Sequence, residues 1–86
     1  MVALPTSVKR VAALLLSFAN RLGSPVPDGV RIPLRLSQEL IAKMLYTDRV
    51  TISRAVAELE HRGFLRRRQG SYTISDPEKL TAFIEE

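Results

Sequence analysis

Cysteine and tryptophan are absent from this sequence, and histidine occurs once. Without cysteine there is no disulfide framework, no thiol nucleophile and no cysteine-based zinc site. A reducing, cytoplasmic setting is therefore expected. Glycine (4 residues) and aromatic side chains (6%) are also sparse. No glycine-rich phosphate loop, paired carboxylates or metal-spaced cluster accompanies the lone histidine, His61. Near a helix end it reads as a dipole-complementing residue. No enzyme activity, metal or cofactor is expected.

Long apolar runs are missing as well. The run Val11 to Ala19 is broken only by Ser17 and follows Lys9-Arg10. It is far short of the roughly 20 residues that span a bilayer. Its length would suit a signal-peptide core, but Asn20-Arg21-Leu22 is a poor cleavage region. Val8, Val11, Leu15, Phe18 and Leu22 recur at three- and four-residue spacing, as on a packed helix face. A core helix is expected, and no membrane partner.

What the chain does have is apolar content and arginine. Apolar residues make up 45% of its 86 residues, enough for one small globular domain covering residues 1–86. Ten of the 13 basic residues are arginine. Arg31 to Arg68 contains nine basic residues against four acidic, a balance of +5, within a chain of formal charge +4. Arginine's planar fork suits bidentate contact with phosphate and guanine, and a small basic domain favours a polyanionic partner.

Hydrophobic patterning orders the elements. Pro5 and Ser7 open a first helix that Gly23-Ser24-Pro25 closes, and SPVPDG reads as a turn-rich connection. Val30, Ile32, Leu34 and Leu36 alternate with Arg31, Pro33 and Arg35, a half-buried strand that Pro33 would confine to an edge or outer position. Ser37 can cap a helix over Gln38 to Leu45, and Asp48 a second one to about Arg62. Gly63 ends that helix. Phe64 to Arg68 and Ser71 to Ile74 flank Gln69-Gly70 as a hairpin. Asp76-Pro77 starts a final short helix. The order is that of an α+β winged helix, with a helix-turn-helix over about 37–62 and a wing over about 64–75.

On a helical wheel, Ile52, Ala55, Val56 and Leu59 form one stripe, the candidate core. Arg49, Val50, Ser53, Arg54 and Ala57 fall on the other side. Such a face can read base edges: arginine donates twice to guanine, valine packs on a thymine methyl, and a small serine lets the helix approach. Ser37, Gln38, Thr51 and Ala57 are candidates for the DNA backbone. Arg66, Arg67 and Arg68 are candidate phosphate contacts on the wing. A winged helix used as a protein-interaction module is the alternative.

The stretch LRLSQELIAKMLYTDRVTISRAVAELEHRGFL resembles the C-terminal DNA-binding domain of Crp/Fnr-type bacterial transcription regulators. LRLS and DRVTISR most resemble the cyanobacterial nitrogen-control branch, and VKRVAALLLSFA and DPEKL resemble the family's flanking segments. The resemblance implies that Arg49 and Arg54 are the principal base-reading residues. It also matches Ser53 to the serine that precedes the arginine in the Fnr branch, and Ser37 and Gln38 to backbone-holding positions. Val50 stands where many members carry a cytosine-reading glutamate, which implies a different half-site. Tyr46 stands where glycine is usual in a left-handed turn, leaving that turn's geometry open. The implied partner is double-stranded DNA bearing an inverted repeat, bound by a homodimer in the full-length context, with RNA polymerase as a further contact. The family's effector-binding barrel and dimerisation helix have no counterpart in these 86 residues, so no effector site is expected in them.

Overall fold

Small and branched apolar residues at helical spacing make the first element. A computed structural model of the chain describes residues 6–86, and α1 (Thr6–Leu22) buries Val8, Val11, Ala12, Leu15 and Ala19. Phe18 is only half-buried and Leu22 is 48% exposed, so two alanines, not Leu22, complete the expected stripe. Ser7 already lies within α1, and Pro5 lies outside the described residues.

The connection expected after α1 is itself a hairpin, β1 (Ser24–Val26) against β2 (Gly29–Ile32). The expected strand over Val30–Leu36 stops at Ile32, one residue before Pro33. The missing proline N–H therefore costs the ladder nothing, and β2 is interior: the four-stranded sheet runs β1-β2-β4-β3. The edge assignment fails because the proline stands outside the paired residues. Leu36 is buried, but Leu34 is exposed. Gly29 has φ 143° where β2 meets β4, and a Cβ there would press on the Ile74 carbonyl, so this crossing requires glycine.

Next come α2 (Gln38–Met44) and α3 (Arg49–His61), then β3 (Leu65–Arg68), β4 (Ser71–Ile74) and α4 (Pro77–Ile84). Ser37 accepts the Leu40 N–H at 3.0 Å and Asp48 that of Thr51 at 2.7 Å, so both expected caps form. Both helices end in the same way. After α3, Gly63 N–H donates to Glu60 O and Phe64 N–H to Leu59 O; after α2, Tyr46 N–H donates to Lys43 O and Thr47 N–H to Ala42 O. This is the Schellman pattern, with Gly63 (φ 80°) and Tyr46 (φ 54°) in its left-handed position. The helix-turn-helix geometry is thus kept despite the tyrosine. Arg10 of α1 donates to Leu45 O at 2.6 Å, tying the turn to the first helix.

The core lies between the helices and the inner sheet face: Ile41 and Ala42 of α2, Ile52, Ala55, Val56 and Leu59 of α3, with Ile32, Leu65, Tyr72 and Ile74 from the sheet. Gln69 (φ 50°) and Gly70 (φ 82°) make the two-residue turn between β3 and β4, both with positive φ as a tight hairpin requires. On the far side, Phe83 of α4 stacks on Phe64 at 5.0 Å.

Candidate nucleic-acid interface

The surface is built on α3. Its stripe of Ile52, Ala55, Val56 and Leu59 is buried to 1% exposure or less, which fixes the helix's rotation about its axis. Arg49, Val50, Ser53, Arg54 and Ala57 are consequently all exposed. Val50 is 59% exposed, an apolar side chain on an outward face. The two arginines do not sit together. Arg49 borders a cleft with Ser37, Gln38, Glu39 and Arg67. Arg54 borders a groove with Thr51 and the start of α1, at Ser7 and Val8. Val50, Ser53 and Ala57 lie between these flanks, so the face has a small, methyl-bearing centre and a cation on each side. Thr51 is half-buried and Gln38 partly so.

Asp48 does more than cap. Hydrogen bonds from Thr51 hold its carboxyl below the ordinary carboxylate value, with a lesser contribution from the Arg54 charge. The cap therefore remains an anion that fixes the first turn of α3, where Arg49 and Val50 project. Glu58, further along, is paired with Arg62 at 2.6 Å. The first two turns of α3 carry no acid.

The cleft at Arg49 brings three of the expected contact elements together: the start of α2, the start of α3 and the wing. Ser37's hydroxyl oxygen is used by the cap, which leaves its O–H proton free to donate outward. Tyr72 is buried, with Arg67 and Gln38 near its hydroxyl. Burial pushes its hydroxyl above the usual phenol value, opposed by the nearby Arg67 charge and by Gln38.

The wing arginines are divided. Arg67 is paired with Tyr72 and shares the inward parity of Leu65, so it extends past the core edge toward α2 and α3. Arg66 and Arg68 leave the opposite face. Arg66 lies 3.4 Å from Asp28, an exposed ion pair. Of the three, only Arg67 joins the α3 surface. Arg31 and Arg35, given only strand places by their alternation, are both exposed. Among the described residues no three His, Asp or Glu side chains gather as a metal set, and no helix is long and apolar enough to cross a membrane.

Three stacked helices, a strand-paired wing and a cationic face on the second helix of a helix-turn-helix define a winged helix-turn-helix domain. Residues 9–83 match the model of the Crp-like helix-turn-helix domain. The chain belongs to that family. It is 39% identical over 71 residues to a CRP-like cAMP-activated global transcriptional regulator of Mycobacterium tuberculosis, covering 83% of this chain and 32% of that protein. It is 32% identical over 72 residues to the global nitrogen regulator of a Synechocystis species, covering 84% and 32%. Among solved structures, the CO-dependent transcription factor CooA from Carboxydothermus hydrogenoformans superposes with TM-score 0.82 at 34% identity, over 91% of this chain and 36% of that one. The chain thus spans about a third of the length of the curated relatives it matches.

Proposed function

We propose that this domain, a sequence-specific DNA-binding domain of a bacterial transcription regulator, reads a half-site by laying the first turns of α3 in the major groove. Arg49 and Arg54 contact guanine edges on either flank, Val50 packs on a thymine methyl, and Ser53 allows close approach while offering its hydroxyl. Ser37, Gln38, Thr51 and Ala57 lie along the DNA backbone, and Arg67 extends that contact from the wing. One observation carries this reading: the exposed face of α3 pairs two arginines with an exposed valine. A face that was merely solvated would gain nothing from that valine.

Two copies, paired as a homodimer, would bind an inverted repeat with half-sites about one helical turn apart. The domain acts in the cytoplasm, works by binding and not by catalysis, and contacts RNA polymerase. The effectors in the relatives' names (cAMP, CO) belong to those proteins, and none is assigned to these residues.

The test is a salt titration of binding to duplexes of different sequence. Binding should weaken linearly in log salt, with a residual preference for one sequence at each concentration. Flat salt dependence, or tight binding to an acidic protein in place of DNA, would return the domain to the class of protein-interaction modules.

A further inference from the structure

Behind α3 the surface changes character. α1 turns Val8, Val11, Ala12, Leu15 and Ala19 into the core, and at about 100° per residue Ala13 and Ser17 fall roughly 140–180° from the centre of that stripe. α4 lies along this flank. It buries Leu80 and Phe83 and leaves Thr81, Ile84 and Glu85 beside α1. Between the two helices runs an open groove of about 400 Å³. Half-buried Leu16 and Ile84 give it an apolar lining, and Ala13, Ser17 and Thr81 are small side chains along it. Arg21 and Glu85 are the only charged residues on its walls among those described. They stand at opposite ends. Lys9, in the first turn of α1, donates to Glu86 O at 2.9 Å, and its ammonium lies 5.6 Å from the centre of the Phe83 ring. The C-terminal end of α4 therefore sits beside the start of α1, and Glu85 marks the Ala13 end of the groove. Arg21 is further along α1 by about 12 Å, at roughly 1.5 Å per residue. Among the described residues, neither Arg21 nor Glu85 has an ion-pair partner.

An apolar groove with a cation at one end and an anion at the other is complementary to a copy of itself turned by half a revolution. We propose that it docks a second copy of this chain, with the two α1 helices antiparallel across a two-fold axis beside Ser17. Residues equally far from Ser17 on either side then meet. Ala13 of each copy stands opposite Arg21 of the other, so each Arg21 reaches the other copy's Glu85. The small side chains let the helices approach, and Leu16 and Ile84 of both copies are withdrawn from water. The two rim ion pairs fix register and choice of partner more than they add affinity. A uniformly acidic or basic partner would meet a like charge at one end, and an apolar one would leave both charges unanswered. A second copy answers both. The surface is small, so the pairing is weak. α3 packs against the core stripe of α1, on the side away from the groove, and both reading faces stay free. The pairing needs no DNA and does not rest on the DNA-binding reading.

Sedimentation equilibrium of the 86-residue chain without DNA, up to about 1 mM and thus to the weak end of the affinity scale, tests the pairing. Wild type should pass from monomer to dimer and stop there, because a two-fold surface closes on itself. Arg21→Glu and Glu85→Arg should each weaken association by about tenfold, since symmetry sets every replaced charge against a like charge twice. The decisive arm mixes the two variants. Arg21→Glu carries anions at both ends of its groove and Glu85→Arg carries cations at both, so a mixed pair has two attractive contacts and should recover wild-type association. R21E/E85R should also pair with itself as wild type does. Recovery in the mixture shows that both variants fold, and melting temperatures check each alone. Wild type that stays monomeric at the highest concentration overturns the proposal, and so does association that continues past the dimer. Single variants that pair as well as wild type would move the contact to another surface. A mixture that associates no better than its components would mean that Arg21 and Glu85 do not meet across a two-fold axis, and either result overturns the proposal.

Discussion

Tyr46 offers a quantitative check on the turn that sets α3 against α2. Its backbone has φ 54°, its N–H donates to Lys43 O, and its side chain is 95% exposed. For a residue with a Cβ the left-handed conformation costs roughly 1–2 kcal/mol, and an exposed ring recovers almost none of that by burial. Glycine removes the strain but loses about 0.4–1 kcal/mol of unfolded-state entropy. Tyr46→Gly should therefore stabilise the domain by about 1 kcal/mol, raising the melting temperature by roughly 4–8 °C for a domain of this size. The control is Tyr46→Ala, which deletes the ring but keeps the φ, and should leave the melting temperature nearly unchanged. Gly63→Ala is the mirror case: φ is 80° and a Cβ would meet nothing within 4 Å, so the loss is conformational, again about 1 kcal/mol. Thermal unfolding followed by circular dichroism measures all three. If Tyr46→Ala stabilises as much as Tyr46→Gly, the ring and not the backbone is responsible, and the account of the turn is wrong.

The remaining predictions concern the first turn of α3, the wing and the sheet. Because the Asp48 carboxyl is held low, its capping contribution is present above the ordinary carboxylate value and lost as pH falls through the lowered folded value. Asp48→Asn should leave the cap largely intact, so acid melting curves of the variant should lack that pH-dependent part; identical acid profiles would contradict it. Arg67→Ala should lower the salt slope on a minimal duplex by about 1, while Arg66→Ala, paired with Asp28 on the outer face, should leave it unchanged. Equal effects would show that strand parity does not divide the wing. Gly29→Ala, whose Cβ would press on the Ile74 carbonyl, should cost on the order of 2–4 kcal/mol in denaturant unfolding, and a neutral result would mean that the β2–β4 crossing relaxes easily.

The helices were legible because their signals are dense. Four apolar residues on one face of α3 over two turns fix its rotation, and with it which side chains point out. Ser37, Asp48 and Gly63 marked the ends of α2 and α3 through local hydrogen bonding that needs no tertiary partner. The sheet was less legible. Ser24–Val26 is three residues long and contains a proline, too short for any period to show, and its strand identity comes only from pairing with Arg31, Val30 and Gly29. Pro33 misled for a related reason: whether a proline lies inside or just beyond a paired segment depends on the partner strand. In α1, burial at Ala12 and Ala19 is set by the close approach of neighbouring elements, and small side chains announce that weakly in sequence. The division of Arg66, Arg67 and Arg68 follows from a period of two, but the inward face is decided by Leu65 and Tyr72 reaching the core. The clustering of Arg31 and Arg35 with Arg68 around one cleft joins residues more than 30 positions apart, which no local pattern reveals.

The central claim is that α3 reads sequence through Arg49, Val50, Ser53 and Arg54, and selection of bound duplexes from a random library tests it most directly. Wild type should enrich a half-site with two guanines flanking a thymine-bearing step, and Arg49→Ala and Arg54→Ala should each relax one of the guanine positions at a cost of about 1–3 kcal/mol. Enrichment of no motif, or the same motif at undiminished strength after both substitutions, would contradict the account.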